Sequence, residues 1–329
     1  MSIKIILHTT VPFLMGLTLA TVTQAATPPT PSSLAAAITT ANNSADCKAV
    51  APFYWEIGNK EGPLASGSTG NGSVTASSLM LMASASKWIF GAYAVQVRNG
   101  VLSHEDIASL NMTSPYHHLR YKACVPLMPS RKDKETVAEC FHRFGNNRVD
   151  PKDSGKFYYN GAHFQAYATL DLGLGNMDRQ SLGARVNDTL GLSIAYDSPQ
   201  MAAGIITTPQ AYASFLKRML TGQIILGRLL GAHAVCTNPK TCSQALFTPI
   251  PANESWHYSL GHWVEDDPNV GDGAFSSPGA FGFYPWIDKS KTYYGLLARE
   301  DHHVLQDPAN KSVLCGRAIR KAWLIGFPQ

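Results

Sequence analysis

The sequence predicts an α/β fold of the α+β type, built from a sheet lobe and a helical lobe. Aromatic, β-prone segments lie near both ends of the chain, whereas the middle has the apolar spacing that is typical of helices. The 329 residues, 45% of them hydrophobic, are enough to bury a large core. We expect one domain over 47–329, with its sheet lobe at about 47–100 and 255–329 and its helical lobe at about 101–254.

Residues 1–25 have the pattern of a secretory signal peptide, and 26–46 form a Pro-rich tether that leads into a helix. Lys4 precedes an apolar stretch, and small residues surround the expected cleavage site after Ala25. The stretch is short and is interrupted by Pro12, which argues against a stable membrane span. We therefore expect an exported protein, periplasmic or secreted, with a retained N-terminal anchor as the weaker alternative.

The charge balance argues against nucleic acid as a partner. The net charge is +4, from 27 basic and 23 acidic residues, and no long basic run occurs. A segment at 130–135 is rich in charge, but it carries both basic and acidic residues, as on a solvated surface. We expect the partner to be a small molecule or a short peptide.

Turn residues and prolines divide the chain into elements. Asn99-Gly100 ends the helix that begins at Ser84, and Pro209 fits the first turn of a later helix. In chain order we predict a helix at 34–45, a hairpin from 52–57 and 63–68, the helix from Ser84 to 97, a polar surface excursion at 121–153, helices at 162–172, 180–190 and 208–221, strands at 258–264, 280–287 and 292–298, and a last helix at 309–325.

Six cysteines in an exported chain indicate disulfide bonds. Local spacing favours Cys124 with Cys140 and Cys236 with Cys242, each closing a polar loop. That leaves Cys47 for Cys315, a bond that would join the first structured segment to the last. Six buried free thiols are the alternative.

Ser84-x-x-Lys87 is the stretch with the strongest chemical content. A helix places residues i and i+3 on one face, so the hydroxyl of Ser84 would lie beside the amine of Lys87. A desolvated lysine with a lowered pKa can take the proton of a serine nucleophile. The backbone N–H groups and the positive dipole end of the helix start would favour an oxyanion.

The motif alone also occurs by chance, with the serine near a helix cap and the lysine in solvent. Here a run of large apolar residues at 88–97 follows, which indicates that Lys87 is at least partly buried. We therefore interpret the pair as a candidate nucleophile and base.

Further stretches follow Ser84 in a fixed order. Tyr158-x-Asn160 is one, and segments 99–106, 110–114, 202–208, 215–220 and 258–261 are others. Together with Ser84-x-x-Lys87 they resemble the serine β-lactamase and penicillin-binding-protein superfamily, most closely its class C β-lactamase and esterase branch. The resemblance extends from about Tyr54 to the C-terminus. It implies a mainly antiparallel sheet with helices on both faces, an all-helical lobe, and an active site between them.

The resemblance also implies roles for individual residues. Ser84 would attack an ester or amide carbonyl, Lys87 would receive or relay the proton, and Tyr158 would act as a general base and then protonate the leaving group. Asn160 would hydrogen-bond the substrate carbonyl or the lysine. An aromatic pair that only packs the core is the alternative for Tyr158-Tyr159.

The third motif departs from the family pattern. By position, Ser277-Pro278-Gly279-Ala280 is similar to the segment that is Lys-Thr-Gly or His-x-Gly in relatives, but its basic residue is absent. Ser277 would offer the substrate a hydroxyl without a charge, beside Gly279, and the N–H of Ala280 would still pair with that of Ser84 in an oxyanion hole.

These features predict an exported serine hydrolase that forms an acyl-enzyme and acts as an esterase. A β-lactamase or D,D-peptidase is one alternative, and a non-catalytic cell-envelope binding protein is another. The missing cation at Ser277 favours uncharged substrates over those that carry a carboxylate.

The sequence gives no reason to expect a cofactor or a metal. His117-His118 and His302-His303 are adjacent pairs, whose side chains point in different directions on regular structure, and neither pair has ligands at the usual metal-site spacing. Gly173-Leu174-Gly175 lacks the rest of a dinucleotide fingerprint. Trp256, His257, His262 and Trp263 would line a cleft or, more commonly for such residues, pack in the core.

Overall fold

The computed structural model describes residues 30–120, 124, 133–304 and 307–329. The expected signal peptide therefore lies outside the described residues. The strands are β1 Tyr54–Gly58, β2 Pro63–Ser68, β3 Met80–Leu81, β4 Phe157–Tyr158, β5 Ala195–Tyr196, β6 Ile205–Thr207, β7 Val235–Cys236, β8 Ala245–Phe247, β9 His257–Ser259, β10 His262–Glu265, β11 Ala274–Ser276, β12 Tyr284–Ile287 and β13 Tyr294–Ala298.

Eight of these strands form one antiparallel sheet in the order β2-β1-β13-β12-β11-β10-β9-β7. Two small sheets lie outside it: β3-β6-β5, and the parallel pair β4-β8. The first and last strands of the domain are neighbours in the large sheet, where Trp55 of β1 lies opposite Leu297 of β13. Both ends of the domain therefore build the same sheet.

The helices pack either on the large sheet or mainly on one another. They are α1 Pro31–Asn43, α2 Ala45–Lys48, α3 Ser86–Val97, α4 His104–Leu110, α5 Val137–His142, α6 Ala162–Leu170, α7 Arg179–Leu190, α8 Pro209–Leu220 and α9 Pro308–Ile325. Helices α1 and α2 pack on α9, which contacts β12 and β13, while α8 contacts β1 and β13. Buried aromatic rings fill the space between helices and sheet, as where Tyr212 of α8 meets Phe283 with ring centroids 5.0 Å apart. This arrangement confirms the predicted α+β fold.

Strands β3 to β8 and β11 were not predicted, and other elements differ from the prediction. The expected strand at 258–264 is a hairpin, because Leu260 and Gly261 both have positive φ and turn the chain between β9 and β10. The strand expected from 280 begins only at Tyr284, since the residues before it form a turn. The polar excursion contains α5, whose start is stabilised by a capping box between Thr136 and Glu139.

The structure joins the cysteines in three pairs, which are Cys47 with Cys315, Cys124 with Cys140, and Cys236 with Cys242. The first pair links α2 to α9, at the two ends of the domain. In the described part of the chain, no helix has both the length and the apolar character that a membrane span requires.

Candidate active site

Ser84 lies on a sharp turn between a strand and a helix. Strand β3 pairs with β6, and the N–H of Met82 extends the pairing with a 2.9 Å hydrogen bond to the carbonyl of Ile205. Ala83 then adopts a φ of 44°, and a 3₁₀ turn over Ala83–Ala85 leads into α3. The α-helix thus begins at Ser86, two residues later than predicted, and Ser84 occupies the turn at its N-terminal end.

Buried contacts hold this turn in place. The hydroxyl of Tyr212 donates a 2.8 Å hydrogen bond to the carbonyl of Ala85, and Ser86 Oγ accepts one from the N–H of Ile205. Further along α3, a Cβ added at Gly91 would lie 2.2 Å from the carbonyl oxygen of Leu260, so only glycine allows the helix to approach the β9–β10 turn so closely. The position of Ser84 is therefore fixed by tertiary packing.

Lys87 is buried next to Ser84. Its side chain is 4% exposed, and its Nζ lies 2.8 Å from Ser84 Oγ and 3.0 Å from the carbonyl oxygen of Ala202. No carboxylate of the described residues forms an ion pair with it. Burial without a counter-charge lowers the pKa of Lys87 from its ordinary value to about 7, so that the neutral amine is well populated near neutral pH.

The structure places Tyr159, and not Tyr158, at Ser84. Lys87 Nζ lies 4.8 Å from the ring centroid of Tyr159. Burial raises the pKa of the Tyr159 phenol to about 12, although hydrogen bonding to Ser84 and Trp263 opposes the rise. The ring of Tyr158 instead stacks on His117 with centroids 4.5 Å apart. Successive side chains of an extended segment point to opposite sides, so only one of the two tyrosines can face the serine.

Both polar atoms of the Asn160 side chain form hydrogen bonds with backbone groups. Its Oδ1 accepts hydrogen bonds from the N–H groups of Leu119 and Ala162, and its Nδ2 donates to the carbonyl of Leu119 at 3.4 Å. The structure thus does not bring this amide to Ser84 or Lys87 as the resemblance implied. Asn160 fixes the segment that carries Tyr159 to the loop before it.

Ser277 follows the end of β11 and supports the serine turn from the other side. Its Oγ donates a 3.1 Å hydrogen bond to the carbonyl oxygen of Ser84, and the residue is 2% exposed. The hydroxyl is therefore engaged with the backbone instead of being free for substrate. At Gly279, an added Cβ would lie 2.4 Å from the carbonyl oxygen of Met82, so glycine is needed for this close approach.

Ser84 opens onto a cavity of about 230 Å³. Apart from Ser84 and Tyr159, its lining consists of Pro249, Ile250, Pro251, Trp256, Trp263, Pro278, Ala280, Val304, Asp307, Pro308, Ala309, Asn310 and Val313. Most of this surface is apolar, and its one charged lining residue, among those the structure describes, is acidic. Among the described residues, no backbone group accepts a hydrogen bond from the N–H of Ala280.

No described cation replaces the missing basic residue at Ser277. Arg299 points its Nη2 at Asp301, with a 2.6 Å ion pair, and is absent from the cavity lining. The exposed Lys134 does not line it either, and Lys132 is outside the described residues. The charge distribution of the cavity therefore suits an uncharged group better than a carboxylate.

Sequence reasoning missed parts of this site. The resemblance pointed to Tyr158, whereas Tyr159 lies beside Ser84 in the structure. The sequence also did not identify the 249–251 segment, which has no chemical signature. Trp256 and Trp263 line the cavity, whereas His262 is core: it stacks on Trp88, and burial lowers its pKa to about 3. His257 pairs with Asp266 at the surface.

Comparison with known proteins shows the fold. No protein-family model matches the sequence, and no curated protein matches it. Among solved structures, a penicillin-binding protein from Bacillus halodurans is similar with a TM-score of 0.57 at 11% identity, covering 81% of this chain and 96% of that one. A D-stereospecific amidohydrolase from Streptomyces sp. has a TM-score of 0.55 at 12% identity, covering 87% and 98%. Simvastatin synthase (LovD) from Aspergillus terreus, unliganded, has a TM-score of 0.54 at 14% identity, covering 88% and 99%. The chain therefore has the fold of the serine β-lactamases and penicillin-binding proteins.

Proposed function

We propose that this protein is a serine hydrolase that cleaves uncharged esters or amides through an acyl-enzyme on Ser84. The observation that carries the proposal is the 2.8 Å separation of Ser84 Oγ and Lys87 Nζ, together with the burial of a lysine that has no carboxylate partner among the described residues. A surface lysine near a serine would have an ordinary pKa and would be protonated at neutral pH. Lys87 is poised to accept a proton instead.

In the first half-reaction, Ser84 Oγ attacks the substrate carbonyl carbon and its proton passes to the neutral amine of Lys87. The carbonyl oxygen becomes an oxyanion, which the N–H groups of Ser84 and Ala280 would stabilise. Collapse of this intermediate breaks the bond to the leaving group. Tyr159, a neutral phenol at physiological pH, donates a proton to the departing oxygen or nitrogen and recovers one from the Lys87 ammonium.

In the second half-reaction, water attacks the acyl carbonyl. Neutral Lys87, directly or through Tyr159, takes a proton from the water, and Ser84 leaves with its hydroxyl restored. In our proposal, the role of leaving-group proton donor that the resemblance implied for Tyr158 passes to Tyr159, whereas the role of general base passes to Lys87. Asn160 and Ser277 act as positioning residues, because both side chains bind backbone groups of the site.

The cavity suits an apolar acyl or alcohol group of the substrate. Aromatic and proline side chains line it, and Asp307 would repel a substrate carboxylate. An ester with a short hydrocarbon chain fits this chemistry better than a β-lactam or a peptide with a free carboxylate. We also propose that the protein is exported, which the three disulfide pairs support.

Labelling with a fluorophosphonate probe and turnover of p-nitrophenyl butyrate test the proposal. The wild type should be labelled and should release nitrophenol, and Ser84→Ala should do neither. Ser214→Ala is the matched control, since it removes an exposed serine hydroxyl on α8 that does not line the cavity, and it should retain labelling. Equal labelling of wild type and Ser84→Ala would refute the assignment, and tight substrate binding without turnover in the wild type would favour a binding protein.

A further inference from the structure

Four side chains that the proposed reaction does not use converge beside the Tyr158 strand. His117 and His118 precede the polar excursion, and Asp150 and Asp153 lie at its end. Sequence reasoning set the histidine pair aside because adjacent side chains diverge on regular structure. The backbone at 117–118 is neither helix nor strand, and both Nε2 atoms reach Asp150 Oδ2.

His117 Nε2 is separated from two carboxylate oxygens by the distance expected between metal ligands, whereas His118 Nε2 is in direct hydrogen-bond contact with Asp150 Oδ2. His117 Nε2 lies 3.4 Å from Asp150 Oδ2 and 3.2 Å from Asp153 Oδ2. A tetrahedral zinc ion with bonds of about 2.0–2.1 Å sets its ligand atoms about 3.3 Å apart. The nearest nitrogen and oxygen atoms of His117, His118 and Asp150 all lie within 4.8 Å of one another.

The nitrogen at the centre of the cluster is buried without a hydrogen bond. His117 is 8% exposed, and its Nε2 has no hydrogen-bond partner in the described part of the chain despite the two nearby carboxylates. An imidazole nitrogen aimed between two carboxylate oxygens is costly to bury unless something satisfies it.

The remaining oxygens of both carboxylates already have cationic partners. Arg148 Nη2 lies 3.2 Å from Asp150 Oδ1, and Lys156 Nζ lies 3.6 Å from Asp153 Oδ1. Asp150 Oδ2 therefore faces both histidines, and Asp153 Oδ2 faces His117. In known metal sites, contacts to the other oxygen of a metal-binding carboxylate orient that carboxylate.

We propose that His117, His118, Asp150 and Asp153 form a structural zinc site. Two neutral imidazoles and two carboxylates suit Zn²⁺ and its transition-metal neighbours better than Ca²⁺ or Mg²⁺, which prefer oxygen ligands. Four protein ligands leave no open position for a substrate, as is typical of structural sites.

The site would stabilise the segment that carries Tyr159. His117 stacks on Tyr158, and Leu119, two residues later, is held by Asn160. On the far side of the segment, His163 Nε2 donates a 3.0 Å hydrogen bond to the carbonyl of Tyr158. A bound ion would thus fix both ends of the polar excursion to the strand next to the serine.

Metal binding by the purified full-length protein tests this inference. After chelator treatment and dialysis, we expect one Zn²⁺ per chain by calorimetry and elemental analysis, and a rise in Tm of several degrees with added Zn²⁺. Substituted Co²⁺ should show the intense visible bands of a tetrahedral site. Ca²⁺ should produce neither effect.

The variants His117→Ala/His118→Ala and Asp153→Asn should lose stoichiometric Zn²⁺ binding and the Tm shift. The matched control is His302→Ala/His303→Ala, which removes an exposed histidine pair that also lies beside two acidic residues, Glu300 and Asp301. Asp153→Asn keeps the test valid if the double variant fails to fold.

Three results would overturn the proposal. They are the absence of stoichiometric Zn²⁺ binding in the wild type, its retention in folded Asp153→Asn, and its loss in the His302→Ala/His303→Ala control. Since none of these measurements uses catalysis, failure of the zinc site and failure of the proposed hydrolase would be distinguishable.

Discussion

Lys87 Nζ lies 4.8 Å from the ring centroid of Tyr159, so that an amine and a phenol share one desolvated space beside Ser84. The same burial acts on them in opposite directions, because it always disfavours the charged form. It lowers the pKa of Lys87 to about 7 and raises that of Tyr159 to about 12. The environment thus separates the two groups into a base and a proton donor.

The two neighbouring tyrosines should differ in their effect on catalysis. Tyr159→Phe removes the phenol beside Ser84 and should lower kcat/KM for p-nitrophenyl butyrate by roughly 10²- to 10⁴-fold, the usual range for a general acid. Tyr158→Phe is the matched control. It keeps the ring that stacks on His117 and should change kcat/KM by only a few-fold. A larger loss of kcat/KM in Tyr158→Phe than in Tyr159→Phe would instead support the catalytic role that the resemblance implied for Tyr158.

The pH dependence of hydrolysis should report Lys87. The base is the neutral amine, so kcat/KM should rise with pH through about 7 and fall about tenfold per unit below it. The measurement is a pH profile of kcat/KM on an uncharged ester, whose own ionisation cannot contribute.

Lys87→Arg supplies the control for that profile. A guanidinium stays protonated at these pH values, so the variant should lose most activity and should lack the rise near pH 7. A wild-type rate that is flat between pH 5.5 and 8.5 would contradict the assignment of Lys87 as the base.

Part of the fold followed from local sequence signals, since apolar spacing and turn residues located the longer helices and the strands β1, β2, β12 and β13. The exceptions arose where tertiary contacts decide the conformation. Residues 258–264 have the composition of one strand, but α3 packs at Gly91 against Leu260, and the chain turns there. Alternation of β-prone residues carries no information about such a contact.

The site was predictable to the extent that it lies within one helical turn. The i to i+3 spacing was sufficient to bring Ser84 and Lys87 together, although the first turn is 3₁₀ and not α. The orientation of the Tyr158-Tyr159 pair depends on the pairing of β4 with β8, whose register shifts between Phe157 and Tyr158. A shift of one residue exchanges the two faces of a strand, and local sequence does not specify it.

A buried ion-pair network should govern acid stability. Glu265 of β10 is fully buried and contacts Arg317 and Arg320 of α9 at 2.9 and 3.0 Å. Burial alone would raise the pKa of Glu265, but the two arginines lower it from 4.5 to about 2. A carboxyl whose pKa is lower in the folded protein than in the unfolded chain stabilises the fold at pH values above its ordinary pKa. That stability is lost as the pH falls from about 4.5 towards 2.

Glu265→Gln should therefore lower the free energy of unfolding at pH 7 by about 3–5 kcal/mol, because it leaves two buried arginines short of a partner. The comparison is Asp266→Asn, one residue further along, where a half-exposed carboxylate pairs with His257. That change should cost less than about 0.5 kcal/mol. Denaturant unfolding measures both, and equal effects would show that the network does not stabilise the fold.

Discrimination by substrate charge is the last expectation. A carboxylate that enters the cavity loses water and meets no cationic side chain in the described lining. The charge-assisted hydrogen bond that a basic residue would supply is worth about 1.5–3 kcal/mol. We therefore expect kcat/KM for mono-p-nitrophenyl glutarate to be roughly 10- to 150-fold lower than for p-nitrophenyl butyrate.

Asp307→Asn examines the electrostatic part of this difference. Asp307 lines the cavity and caps α9 by accepting a hydrogen bond from the N–H of Asn310. Asparagine also caps helices and tolerates the positive φ of 53° found here. The variant should thus keep its stability while kcat/KM for the glutarate ester rises about 2- to 5-fold, because an exposed charge contributes less than about 1 kcal/mol.

The butyrate ester should change less than about twofold in Asp307→Asn, since it carries no charge for the aspartate to repel. Asp188→Asn is the matched control, because it removes the same charge from an exposed position on α7 that does not line the cavity. It should leave the ratio of the two esters unchanged. If the wild type hydrolyses both esters equally well, the charge of the cavity does not select the substrate. Mutation of Arg131 and Lys132, which lie outside the described residues, would then test whether one of them binds the carboxylate.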